Sequence, residues 1–344
     1  MTSRPSATLR DRINRIAYVV INVSDLERSR AFYEAVTPLR AVGMIHAPLQ
    51  PFHGLGAAEG AFEGYVLEEQ GAGDRPVQIH LIRWQQPSPV GAAYPCFWHV
   101  GLAKIAFRTP DAIAKLAQLR ALAIRPTNDI IYRRYVSVLD PDGVTLSFPE
   151  SPALNRDRDP KEDPRRRERL LHVNPSVSDI KRSMHFYGAA LGLDLAAESV
   201  PGKPMRASQG PGSDLSQWDS HLYAARGDPR FHIDLSQFHY PPPTLENSTP
   251  YAEANHIGIS RIGFEVDELD ACHQLLQAME PVGQAPGLVA PPETWQLGGA
   301  LGVRRVLCFR DPDGCRLELI EKVPVKPLVG RTDMSEIEPI SIDW

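Results

Sequence analysis

The feature that most constrains this chain is that it repeats itself. Val23-Ser-Asp-Leu-Glu-Arg-Ser-Arg-Ala-Phe-Tyr33 recurs as Val177-Ser-Asp-Ile-Lys-Arg-Ser-Met-His-Phe-Tyr187, an offset of 154 residues. The same offset carries Gln78-Ile-His-Leu-Ile-Arg-Trp84 onto His232-Ile-Asp-Leu-Ser-Gln-Phe238. A second unit also returns: Tyr94 to Phe107 matches Tyr251 to Phe264, and Asp140-Pro-Asp-Gly143 matches Asp311-Pro-Asp-Gly314. Self-similarity at a fixed spacing is the signature of a supersecondary unit used more than once.

Each half turns over once more, from strand to helix to strands. Ile16 to Val23 is rich in β-branched residues and reads as a strand. Ser24 or Asp25 can cap the helix that follows, ahead of Leu26, Phe32 and Tyr33 at helical spacing. Ile105 to Phe107 is strand-like and Asp111 to Leu122 is an amphipathic helix; Ile262 to Val266 and Leu269 to Met279 repeat that order. Each second unit ends in a hairpin at Asp-Pro-Asp-Gly, where proline fixes one φ and glycine permits a positive one. The expectation is an α+β chain of four βαβββ modules, beginning near Ile13, Gly101, Leu170 and Gly258.

The halves are read as domains at 1–150 and 169–323, joined by 151–168 and followed by a tail at 324–344. Within the joining segment, Asn155 to Glu168 mixes Arg, Asp, Lys and Glu around two prolines and has no apolar face, so the segment reads as a solvated linker. The chain's 344 residues suffice for two cores, and 42% hydrophobic with 23% charged residues is ordinary for a globular protein. A net charge of −5 argues against nucleic acid as a partner, since there is no basic excess to displace counterions. Met1-Thr-Ser-Arg-Pro lacks an apolar signal region, and no stretch is apolar enough to span a bilayer. Cys96, Cys272, Cys308 and Cys315 form no CxxC pair, so a reduced, cytoplasmic protein is expected. No GxGxxG opens a βαβ unit, which argues against a bound dinucleotide.

The string His172-Val-Asn-Pro-Ser-Val-Ser-Asp-Ile180, followed by His185-Phe-Tyr187, resembles a module opening of the vicinal oxygen chelate superfamily. Asp311-Pro-Asp-Gly-Cys-Arg-Leu-Glu-Leu-Ile320 resembles its module ending. That superfamily includes glyoxalase I, extradiol dioxygenases and the fosfomycin and bleomycin resistance proteins. The resemblance implies cup-shaped mixed sheets, each built from two modules around a divalent metal (iron, manganese or zinc). It further implies ligands on the first and last strands of each module, and a small-molecule substrate with adjacent oxygens. A homodimer is plausible for such folds.

Carried onto this sequence, the resemblance offers His172, Asp234, Arg261 and Glu318 in the second half, and Tyr18, His80, Lys104 and Ser147 in the first. His172, Glu318, Asp234 and His80 are the metal-ligand candidates, because imidazole and carboxylate can donate to such a cation. Arg261 departs from the pattern, since a guanidinium has no lone pair to give; it is a candidate for binding substrate or for neutralising a carboxylate. His256 is a catalytic candidate only if Gly258 marks a bulge, and its counterpart His99 suggests a shared structural role instead. His221 is a further candidate ligand. Lys104 and Ser147 read as a decayed site. If the first module pairs with the fourth, His80, Glu318 and Tyr18 share one cup while His172 and Asp234 share the other; sequence leaves this open. The leading expectation is a metal-dependent oxidoreductase or dioxygenase-like enzyme on a vicinal diol, hydroxyketone or cyclitol. Isomerase or lyase chemistry of the glyoxalase kind, or a metal-free binding module, are the alternatives.

Overall fold

The structure is a computed structural model describing residues 8–71, 75–128, 135–151, 167–200, 202–207, 216–226, 228–242, 244–279 and 291–323. Most of the charged joining segment and the tail lie outside these residues. The first module comprises β1 (Ile13–Asn22), α1 (Leu26–Val36), β2 (Leu39–Phe52), β3 (Ala57–Glu69) and β4 (Gln78–Gln86). In the second are β5 (Gly101–Arg108), α2 (Ala112–Ala121), β6 (Tyr135–Leu139) and β7 (Thr145–Pro149). The third has β8 (Arg169–Ser176), α3 (Ile180–Met184, continued by a π-helical turn at His185–Ala190), β9 (Asp194–Glu198), β10 (Met205–Ala207), β11 (Ser216–Ala225) and β12 (Asp228–Tyr240). The fourth has β13 (Gly258–Val266), α4 (Leu269–Ala278), β14 (Glu293–Gly298), β15 (Gly302–Arg310) and β16 (Arg316–Glu321). The order matches the four-module α+β expectation.

Three of the four helices start where a carboxylate can serve the orphaned N–H groups of a first turn. Asp25 accepts from Arg28 N, Asp111 from Ile113 N and Ala114 N, and Asp179 from Arg182 N. Phe32, Tyr33, Phe186 and Tyr187 point from these helices into the core, as their spacing predicts.

The sheets do not follow the halves of the sequence. One runs β14-β15-β16-β13-β1-β4-β3-β2, joining the first and fourth modules; the other runs β10-β11-β12-β8-β5-β7-β6, joining the second and third. At the centre of each, two first strands pair antiparallel: β1 with β13, and β5 with β8. The Asp-Pro-Asp-Gly turns then tie together the modules that the sheets leave apart. Asp142 accepts from Ser24 N and Arg28, and Asp140 from Tyr33 Oη at 3.0 Å. In the other half, Asp313 accepts from Ser178 N and Arg182, and Asp311 from Tyr187 Oη at 2.9 Å. Asp140 and Asp311 are turn residues, as expected. One contiguous core, including Val19, Ile79, Ile105, Val173, Ile233 and Phe264, lies under both sheets.

The first sheet closes on itself. Ala300 N donates to Met44 O at 2.8 Å, and the Gln50 side chain bonds both N and O of Gln296, so the β14 edge meets β2. Gly299, with φ of +45°, permits this approach: a Cβ there would sit 2.1 Å from Met44 O. Eight closed strands leave an interior that side chains fill. Phe52, Phe62, Trp84 and Trp295 do so, with ring centroids 5.1–5.8 Å apart. Among the described residues no hydrogen bond joins β10 to β6, the outer strands of the second sheet. Cys96, Cys272, Cys308 and Cys315 are all free thiols. Among the described residues no helix is long and apolar enough to cross a membrane.

Candidate functional site

Of the two pairings left open by the sequence, the structure has the first module with the fourth. The first cup therefore holds Tyr18, His80, Arg261 and Glu318, and the second holds Lys104, Ser147, His172 and Asp234. Each set contains one imidazole, one carboxylate, one nitrogen cation and one hydroxyl. Their surroundings differ.

In the first cup the charged groups face one another as an ion pair. Arg261 Nε lies 2.5 Å from Glu318 Oε1, an ionic contact without hydrogen-bond alignment, and Tyr18 Oη donates to Glu318 Oε2 at 2.6 Å. His80 stacks on Tyr18 with centroids 4.5 Å apart and bonds Gln78 Oε1 at 2.9 Å. Burial, reinforced by Arg261 and Arg304, pulls the His80 pKa down to about 3. Arg261 and Glu318 are 3% and 1% exposed, and the remaining space is about 20 Å³, enough for one water. Gly263 is needed opposite Tyr18, because a Cβ would fall 2.2 Å from its ring.

The second cup is polar and unfinished. Pairing across β6, β7, β5, β8 and β12 aligns Ser137, Ser147, Ala106, His172 and His232 in one row. Paired residues face the same side of a sheet, as do positions two apart on one strand. A neighbouring row on that face thus carries Thr145, Lys104, Asn174 and Asp234. The opposite face carries Leu146, Ile105, Val173 and Ile233, all in the core.

Within this polar face, Asp234 Oδ1 accepts from Ser220 Oγ at 2.6 Å, and Oδ2 lies 3.6 Å from His172 Nε2. Burial, and then the nearby Lys104, His232 and Arg108, hold the His172 pKa well below its usual value. Its imidazole is therefore neutral near pH 7, and the 3.6 Å approach is not an ion pair. Burial pushes the Asp234 pKa up, against the pull of Lys104, Ser220 and His221. Both ring nitrogens of His172, Oγ of Ser137 and Ser147, and Oδ1 of Asn174 are buried without a hydrogen-bond partner. Buried polar atoms are nearly always paired, so these five atoms are candidates to be satisfied by a ligand or an ordered water.

Neither donor set fits a divalent metal. Such sites need about three imidazole or carboxylate donors with positions left open. Among the described residues no three His, Cys, Asp or Glu side chains converge. Arg261 occupies Glu318 in one cup, and in the other the cation Lys104 stands where a ligand would be needed. The expected metal set is thus split: His80 with Glu318, His172 with Asp234.

His256, the other catalytic candidate, does not line the first cup. It stacks on Tyr251, Tyr251 on Tyr94, and Tyr94 on His99, with centroids 3.8–4.0 Å apart. His256 and His99 thus stand at the two ends of one aromatic stack. His221 pairs with core residue Leu235, so it faces away from Asp234, and lies 3.4 Å from Glu198. Asn174, Ser137 and Ser220 were missed by sequence reasoning; the available signal was the two-residue spacing of Asn174 from His172.

Four modules that each open strand–helix–strand, set in two cupped sheets, define the class of protein, and the comparisons agree. The model of the Glyoxalase/Bleomycin resistance protein/Dioxygenase superfamily matches residues 15–148 and 169–319, and the chain belongs to that superfamily. Glyoxalase I from Zea mays is similar in fold, with TM-score 0.61 and 16% identity over 89% of this chain and 92% of that one. A Bacillus subtilis protein provisionally described as a dioxygenase gives TM-score 0.53 and 15% identity over 91% and 86%. No curated protein matches the sequence.

Proposed function

We propose that the protein is a small-molecule enzyme of its superfamily whose working cup is the second one. Its reaction is proton transfer on a ligand with adjacent oxygens, without a metal. One observation carries this reading: His172 is buried with neither ring nitrogen bonded, beside Asp234. A neutral imidazole can take a proton from a carbon or hydroxyl of the ligand. The imidazolium so formed would lie 3.6 Å from the Asp234 carboxylate, which stabilises it, and the proton can return to a neighbouring ligand atom. This keeps the chemistry of the isomerase or lyase alternative without the metal that alternative was expected to need. The oxidoreductase or dioxygenase-like reading needs a fuller set of metal donors, and among the described residues no three His, Cys, Asp or Glu side chains converge.

The test is exchange of carbon-bound hydrogen in D2O, followed by proton NMR over a panel of α-hydroxyketones and α-hydroxy acids. Wild type should exchange at least one of them, and His172→Gln should slow that exchange by about 100-fold or more. Dialysis against a chelator should change neither the rate nor the melting temperature. Loss of exchange on chelation with recovery on adding zinc, manganese or iron would overturn the metal-free reading.

A further inference from the structure

Resting on that reading of the second cup, we propose that Lys104 supplies the positive charge there and that the ligand is an α-hydroxycarboxylate. Lys104 is 4% exposed, lies opposite both Asn174 and Thr145, and sits one row from His172 and Ser147. Neighbouring rows on one face are about 6–7 Å apart, a span that a carboxylate and its adjacent oxygen bridge between ammonium and imidazole.

The partners of this ammonium are aromatic. Nζ lies 5.6 Å from the centroid of Phe97 and 5.9 Å from that of Trp218. No carboxylate of a described residue reaches ion-pair distance of it, and Asp234 is turned to Ser220 and His172. A buried cation without an anion is costly, and a bound carboxylate removes that cost. The other unpaired atoms define the rest of the ligand. Oγ of Ser147 and Ser137 can donate to its oxygens, whereas Asn174 Oδ1 accepts and so needs a hydroxyl hydrogen. A neutral diol leaves the ammonium uncompensated. A compact dianion such as phosphate is repelled by Asp234 more strongly than a monoanion is. A monoanionic carboxylate with a neighbouring hydroxyl meets all of these demands, and Phe97, Trp218 and Phe238 favour an apolar or aromatic substituent.

Calorimetric titration with 3-phenyllactate and its neutral amide tests this on the full-length protein. Wild type should bind the acid about 10- to 100-fold more tightly than the amide, the worth of a charged hydrogen bond. Lys104→Met should abolish that preference, and Lys104→Arg should retain part of it, with unchanged circular dichroism in both. Equal affinity for acid and amide, no detectable binding of the acid, or an acid affinity unaffected by Lys104→Met in a folded protein each overturns the proposal. Lys104-dependent binding without His172-dependent exchange would uphold the ligand class and remove the proton-transfer reading.

Discussion

The sealed first cup offers a sharp energetic test. Replacing Arg261 by Met leaves the Glu318 carboxylate buried beside Tyr18 with no counter-charge, and the loss of one partner of a buried pair costs about 3–5 kcal/mol. Glu318→Leu strands the guanidinium and should cost a similar amount. Together the two changes remove both charges, so the ionic cost disappears. What remains is Tyr18 Oη without an acceptor, worth about 1–3 kcal/mol. Adding Tyr18→Phe should bring the triple variant to wild-type stability or above it, because apolar groups in such a site are often neutral or stabilising. Urea titration followed by tryptophan emission is the assay, since Trp84 and Trp295 lie within this cup. The double-mutant cycle should show a coupling energy of about 3 kcal/mol or more. A single variant within about 0.5 kcal/mol of wild type, or a double variant equal to the sum of the singles, refutes the view of this cup as a locked ion pair.

Acid should weaken the fold through His80. Its folded pKa of about 3 lies below the unfolded value of about 6.5, so the unfolded chain binds more protons between them and stability falls as pH drops through that window. The limiting contribution is about 5 kcal/mol; His80→Gln should flatten the urea midpoint between pH 6.5 and pH 4, and an unchanged slope would contradict it. Asp142→Ala and Asp313→Ala should each cost about 1–2 kcal/mol by freeing Ser24 or Ser178 at a helix start. Their effects should add, because each serves a different helix; melting curves of the single and double variants decide this.

Most of the architecture was legible because the chain repeats its own punctuation. Strands begin at Ile13, Gly101 and Gly258, where the repeats place them, and at Arg169, one residue before the expected Leu170. Module partnership was not legible, since either pairing buries the same apolar faces. What distinguishes them is the antiparallel joint of β1 with β13 and contacts as small as Ala300 N to Met44 O. That choice also hid the candidate site. Lys104 and Ser147 read as remnants while they are viewed beside Tyr18 and His80, and as components once they lie beside His172 and Asn174. The Arg261–Glu318 contact was foreshadowed by chemistry alone, because a guanidinium among carboxylates neutralises one.

Because each sheet takes one module from either half while the Asp-Pro-Asp-Gly turns bind the halves internally, the four modules form a closed ring of contacts. A chain of this kind resembles a symmetric pair of half-length subunits joined into one polypeptide. In a true pair of identical subunits the two hollows would be copies and would have to change together. Joining them in one polypeptide lifts that constraint, so one hollow can harden into a strut while the other stays available for chemistry.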